Sequence, residues 1–178
     1  MQRWLYLSVF VLSAGLAVAT EPVKSGPQVG EKVPGPFRPL NLNGPKAGEL
    51  NCIYCMNGSN PSVMIFARED TPALRSLIKK LDAATAANAE ARLGTSAIFL
   101  TNDAATVGAT LKNFIATEHI THTILATHST DQPARYSIAA DATVTVLLYR
   151  HGTVKANHAF RMGELNHSAL NAILAELP

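Results

Sequence analysis

Thiols are scarce in this chain. Cys52 and Cys55 are the only two cysteines in 178 residues. So few exclude a disulfide-dense scaffold and any zinc site built from thiolates alone. Charge is also sparse: charged residues make up 16%, and fifteen basic against thirteen acidic residues leave a formal net charge of +2. That balance is too even for a chain that binds nucleic acid or an anionic membrane. There is no Gly-rich phosphate loop, no G-x-S-x-G elbow and no H-E-x-x-H pair. Nucleotide-binding and hydrolase chemistry therefore find no support, and no cofactor is implied. Apolar residues, in contrast, reach 47%, enough for a substantial core in one domain of ordinary size.

The N-terminus reads "MQRWLYLSVFVLSAGLAVAT". Arg3 precedes a short apolar run, and Ala17-Val18-Ala19 forms an A-x-A cleavage signal, which predicts a signal peptide over 1–19. The run is shorter than the roughly 20 apolar residues of a membrane span. Removal would leave an exported protein, periplasmic or secreted, without a membrane anchor, in a compartment where disulfides persist. Residues 20–35 are rich in Pro and Gly and read as a flexible leader, with the folded domain over 36–178.

From Pro36, "FRPLNLNG" suggests a short strand ending at an Asn-Gly turn. Residues 48–61 read as loop. "SVMIFA" (62–67) is apolar on both faces, as a covered central strand should be. Asp70 or Thr71 then caps a helix opened by Pro72, with an apolar stripe at Leu74, Leu77, Ile78 and Leu81 and an end near Arg92, closed by Gly94. A strand over 96–101, a helix capped by Asn102 or Asp103 and carrying Val107, Leu111, Phe114 and Ile115, and a strand over 121–127 follow. "TVTVLLYRHGTVKANHAF" reads as a hairpin turning at His151-Gly152, and a last helix begins near Glu164 or Asn166. Strands joined through helices are largely parallel, so these elements predict an α/β fold, a three-layer α/β/α sandwich with helices on both faces of a mixed sheet and a late antiparallel hairpin.

This order resembles the thioredoxin-like superfamily, specifically its redoxin branch of peroxiredoxins and secreted thioredoxin-like proteins. "VGEKVPGPFRPLNLNG" is similar to the redoxin opening, "PSVMIFARED" to the central strand leading into the active-site helix, and "YSIAADATVTVLLYRHGTVKANHAF" to the late segment and hairpin. The likeness spans residues 28–178. It implies thiol chemistry at the start of the helix after the central strand, where helix-end N–H groups favour a thiolate. That position holds Arg68, Glu69, Asp70 and Thr71, none of them a thiol. The proline that faces the thiols in thioredoxins is also missing, since Thr143 and Val144 stand in its place.

The two cysteines instead precede the central strand, in the spacing C-x-x-C. The turn-rich stretch Met56–Pro61 argues against a helix after them, and no basic residue is close in sequence. Three roles stay open for Cys52 and Cys55: a structural disulfide, a dithiol–disulfide exchange centre, or a metal site in which two thiolates bind Cu(I), or Zn(II) with histidine partners. His119, His122 and His128 are the histidines near one strand, and His122 and His128 share its parity. Glu69 and Asp70 are carboxylates at a strand end where ligands of open α/β sheets tend to bind, although acidic residues there also serve as helix caps. The missing helix-end thiol and proline favour a divergent binding or scaffold module that carries a Cys52–Cys55 disulfide. The alternative is a thiol–disulfide oxidoreductase whose catalytic residues are Cys52 and Cys55 and whose partner is a protein thiol or disulfide, or a copper- or zinc-binding relative.

Overall fold

The computed structural model describes residues 21–131 and 133–178. The expected signal peptide lies outside these residues. In chain order the elements are β1 (Leu40–Asn41), α1 (Ile53–Asn57), β2 (Ser62–Ala67), α2 (Pro72–Ala87), β3 (Gly94–Leu100), α3 (Ala104–Glu118), β4 (Thr123–His128), a 3-10 turn at Ala134–Tyr136, β5 (Val144–Arg150), β6 (Thr153–Phe160) and α4 (His167–Ala175). One six-stranded sheet runs β1-β4-β3-β2-β5-β6. β2, β3 and β4 are parallel, while β1, β5 and β6 pair antiparallel.

β2 lies at the centre, and all of its residues are buried. Its side chains alternate between two cores. Val63, Ile65 and Ala67 face one, Met64 and Phe66 the other. This explains the unbroken apolar run, because both faces are covered. Successive crossovers from β2 to β3 to β4 step the same way along the sheet, so right-handed connections put α2 and α3 on a single face. α4 joins them there. Arg75 of α2 sits 5.0 Å from the centroid of Phe114 on α3, and Lys79 pairs with Glu118. The third layer is thin: α1, the segment around Val33–Phe37 and the turn at Tyr136 cover the second face.

Capping follows the sequence closely. Thr71 accepts the Leu74 N–H at 3.2 Å, Asp103 the Thr106 N–H at 3.0 Å, and Asn166 the Ala169 N–H at 3.1 Å. α2, however, stops at Ala87 rather than near Arg92. Asn88 caps it, and the chain turns through Arg92 in a left-handed conformation (φ 55°) so that Leu93 reaches the core. Gly94 opens β3 instead of closing α2. A Cβ at Gly94 would collide with the Asn57 amide, so this glycine lets the end of α1 lie against the sheet.

Two further expectations are corrected. The flexible leader is tied to the edge of β6: Arg161 donates to Glu21 O, Asn157 to Ser25 O and Pro27 O, and Val154 N–H to Glu31 O. An edge strand exposes unpaired backbone groups, and covering it satisfies them. The loop expected over 48–61 contains α1. Its first residues have poor helical propensity, but burial of Ile53, 2% exposed, seats the turn on the second core.

Two polar devices buried in the main core escape sequence reasoning. Asp82 on α2 accepts the backbone N–H groups of Thr121, His122 and Thr123 at 3.4, 2.7 and 2.6 Å, fixing the start of β4. The hydroxyls of Thr85, Thr95 and Thr123 form a chain with 2.7 and 2.8 Å links.

Candidate active site

Cys52 and Cys55 form a disulfide, with Cα atoms 5.2 Å apart. Cys52 is the N-cap of α1, and its Sγ accepts the Cys55 N–H at 3.1 Å. No helix begins after Cys55, but a short one begins between the cysteines and puts Cys52 at its N-terminus. The turn is only five residues long, so its contribution to thiolate stability comes from this single N–H rather than from an extended dipole. Cys52 is half-buried and Cys55 exposed.

The elements around the pair hold it firmly. Asn51 N–H donates to Pro39 O at 3.0 Å, and Leu50 bridges to Leu40 at the edge of β1. Beyond the cysteines, the Tyr54 ring stacks on Tyr149 at 6.1 Å. Tyr149 lies opposite Ser62, the first residue of β2, and Asn57 lies against Gly94, the first residue of β3. Tyr54 and Asn57 thus reach the N-terminal ends of the central strands, while Leu50, just before the cysteines, pairs with Leu40 of β1, opposite Thr127 near the C-terminal end of β4. Flanking the disulfide, Leu50 and Met56 are 61% and 45% exposed. A cation that sequence distance hid is also near: Arg38 donates to Leu50 O at 3.3 Å.

The C-terminal end of β2 is organised differently. Arg68 N–H donates to Thr143 O at 2.8 Å, and its guanidinium reaches Ile138 O at 3.3 Å and Thr130 O at 3.5 Å, leaving Nε buried without a partner. Asp70 holds Arg75 through two bonds of 2.8 and 2.6 Å. This pair raises the Arg75 pKa, chiefly through the hydrogen bond. Thr71 caps α2. Thr143 donates from both its N–H and its hydroxyl to Phe160 O. Glu69 is exposed. These groups knit the strand end to its neighbours and present no paired carboxylates aimed at a common point.

The histidines do not converge. His122 lies just before β4 and His128 ends it, about 20 Å apart along a strand rising about 3.3 Å per residue, and His119 is the left-handed C-cap of α3 (φ 54°). Among the described residues no group of three or more His, Cys, Asp or Glu side chains is placed to hold a metal ion. Nor is any described helix long and apolar enough to cross a membrane.

No protein-family model matches this chain, and no curated protein sequence matches it. Solved structures do. A thiol:disulfide interchange protein of the DsbE type from Chlorobium tepidum superposes with a TM-score of 0.58 at 18% identity, over 83% of this chain and 96% of that one. A secreted disulfide oxidoreductase from Mycobacterium tuberculosis gives 0.57 at 15% identity, over 79% and 96%. The reduced 2-Cys peroxiredoxin of Plasmodium vivax gives 0.58 at 18%, over 84% and 83%. The fold is thioredoxin-like. Within this thioredoxin-like fold the sulfur sits before the central strand, and the turn after the strand carries Arg68–Thr71.

Proposed function

We propose that this is an exported thioredoxin-like protein that exchanges disulfides through the displaced Cys52–Cys55 pair, while the turn after β2 has a structural role. One observation carries the reading: Cys52 Sγ already accepts a backbone N–H at 3.1 Å, while its partner Cys55 is open to solvent. A thiolate of a partner protein attacks Cys55 Sγ. The S–S bond breaks, a mixed disulfide forms at Cys55, and Cys52 leaves as a thiolate that keeps the Cys55 N–H. A second partner thiolate then attacks its own sulfur in the mixed disulfide. The partner becomes oxidised and Cys52–Cys55 becomes a dithiol, two electrons having passed between them. A stabilised leaving thiolate speeds such exchange. Leu50 and Met56 supply an apolar rim against which an unfolded or extended partner segment can rest.

A scaffold domain with a structural staple is the second reading, favoured by the firm seating of Ile53 and Tyr54. Closing so short a loop contributes only about 2 kcal/mol in the chain-entropy picture. Oxidation of a reduced, unfolded protein substrate by the disulfide form separates the two. The wild type transfers its disulfide, and Cys52→Ser and Cys55→Ser each lose transfer by roughly 100-fold or more. A wild type that transfers no faster than its serine variants leaves the scaffold reading standing.

A further inference from the structure

The C-terminal end of β4 opens into a cleft that includes neither cysteine and none of Arg68–Thr71. Its two lobes, of about 320 and 370 Å³, share Arg38 and His128. Spaces of this size admit a small molecule. The first lobe is walled by rings. The Phe37 centroid lies 5.8 Å from that of His128 and 5.1 Å from that of Tyr136. The Tyr136 hydroxyl is already spent on Gly35 O at 2.7 Å, and burial raises its pKa, which keeps it protonated. The second lobe runs over Thr127 and Asn102 toward Leu50.

Several donors line this space. Arg38 uses one N–H on Leu50 O, and Arg135 stands at the rim of the other lobe. Among the described residues neither guanidinium meets a carboxylate. His128 Nδ1 accepts the Ser129 N–H at 2.8 Å, so the neutral ring carries its proton on Nε2 and is a donor there. Burial favours that neutral form, opposed by the exposed Asp131. The Asn102 oxygen is taken by the Thr130 N–H and hydroxyl at 3.3 and 3.0 Å, which leaves its NH2 group to the cleft. Thr127 Oγ1 is buried at the floor of the second lobe with no partner, in a residue 2% exposed. A cation placed here would face two guanidiniums. An oxyanion in the first lobe would find two positive charges, Arg38 and Arg135, and the neutral donor His128 Nε2.

We propose that the first lobe of this cleft binds a small organic molecule through a carboxylate or phosphate group, held by Arg38, Arg135 and His128. The cleft borders the disulfide's surroundings at Arg38 and Leu50 but includes neither cysteine. Calorimetric titration of the purified protein with inorganic phosphate and, separately, with succinate tests it, with sodium chloride at matched ionic strength as control. Saturable binding of phosphate or succinate is expected, and whichever binds identifies the anion class. Arg38→Gln and Arg135→Gln should each weaken binding about tenfold, as expected for loss of one charge-assisted contact. Arg150→Gln, an exposed cation elsewhere on the surface, should leave it unchanged. The Cys52→Ser variant should bind as the wild type does, whatever its disulfide transfer shows. Absence of saturable binding for both anions overturns the proposal, and so does wild-type affinity in the Arg38→Gln and Arg135→Gln proteins. A loss of affinity in Arg150→Gln as large as in those two marks unspecific charge attraction and also overturns it.

Discussion

The segments before and after the central strand make opposite use of their residues. After β2, Arg68, Asp70, Thr71 and Thr143 spend their hydrogen-bonding groups on one another's elements: carbonyls of the 130–138 segment, Arg75 of α2, the first turn of α2 and Phe160 of β6. Little is left over to act on another molecule. Before β2, α1 is anchored by Ile53 and Tyr54 but leaves Cys55, Met56 and Leu50 facing solvent. Local order combined with accessible sulfur is the arrangement in which exchange can occur. A thioredoxin-like fold therefore does not by itself say where its chemistry is.

The largest expected effect tests the seating of α1. Ile53→Ala removes a side chain that is 2% exposed from the second core. Truncations of this kind typically cost about 2–5 kcal/mol, and here about 3 kcal/mol is expected. Urea unfolding with the disulfide intact measures it. A loss below about 1 kcal/mol would mean that α1 is only laid on the sheet, and the contrast between the two segments would collapse.

Arg68→Met probes the other segment. It preserves the apolar stem while removing the guanidinium that joins β2 to Thr130 O and Ile138 O. Two carbonyls lose a donor, and a stability loss of about 1–2 kcal/mol is expected. The rate of disulfide transfer should stay within about twofold of wild type, because Arg68 acts through the fold alone. A tenfold fall in transfer with little change in stability would place the strand end in the chemistry and break the comparison.

Much of the fold is legible in the sequence for a simple reason: its elements are coded locally. The two-sided run at 62–67, the caps at Thr71, Asp103 and Asn166 and the hairpin turn at His151-Gly152 each carry their own signal. α1 is not legible, because it is held by long-range burial of Ile53 and by the space left at Gly94. The leader misleads for the same reason, since its Pro and Gly composition says nothing of the β6 edge that it covers. At the candidate site, C-x-x-C names the two sulfurs. It hides the proximity of Arg38 and the bond from Cys55 N–H to Cys52 Sγ. The anion cleft draws on residues from 37 to 136, a juxtaposition that only the folded sheet produces.

The smallest expected effect sharpens the comparison most directly. Thr71→Cys, made in a protein whose own cysteines are both serine, returns a thiol to the start of α2. That helix is sixteen residues long, and the Leu74 N–H already points at the Thr71 side-chain oxygen. The neighbouring Asp70 carboxylate would oppose a thiolate, but it is paired through both oxygens with Arg75. The thiol pKa should therefore fall from the usual 8.5 or so to between about 7 and 8, through the helix-end N–H groups and dipole. The pH dependence of alkylation by iodoacetamide reads it. A value in that range means that the end of β2 remains competent to activate sulfur and that this chain departs from it only in where its cysteines are placed. A value at or above 8.5 means that the Arg68–Thr71 turn has lost the electrostatics as well as the thiol, and the division of labour between the two segments is built into the backbone surroundings.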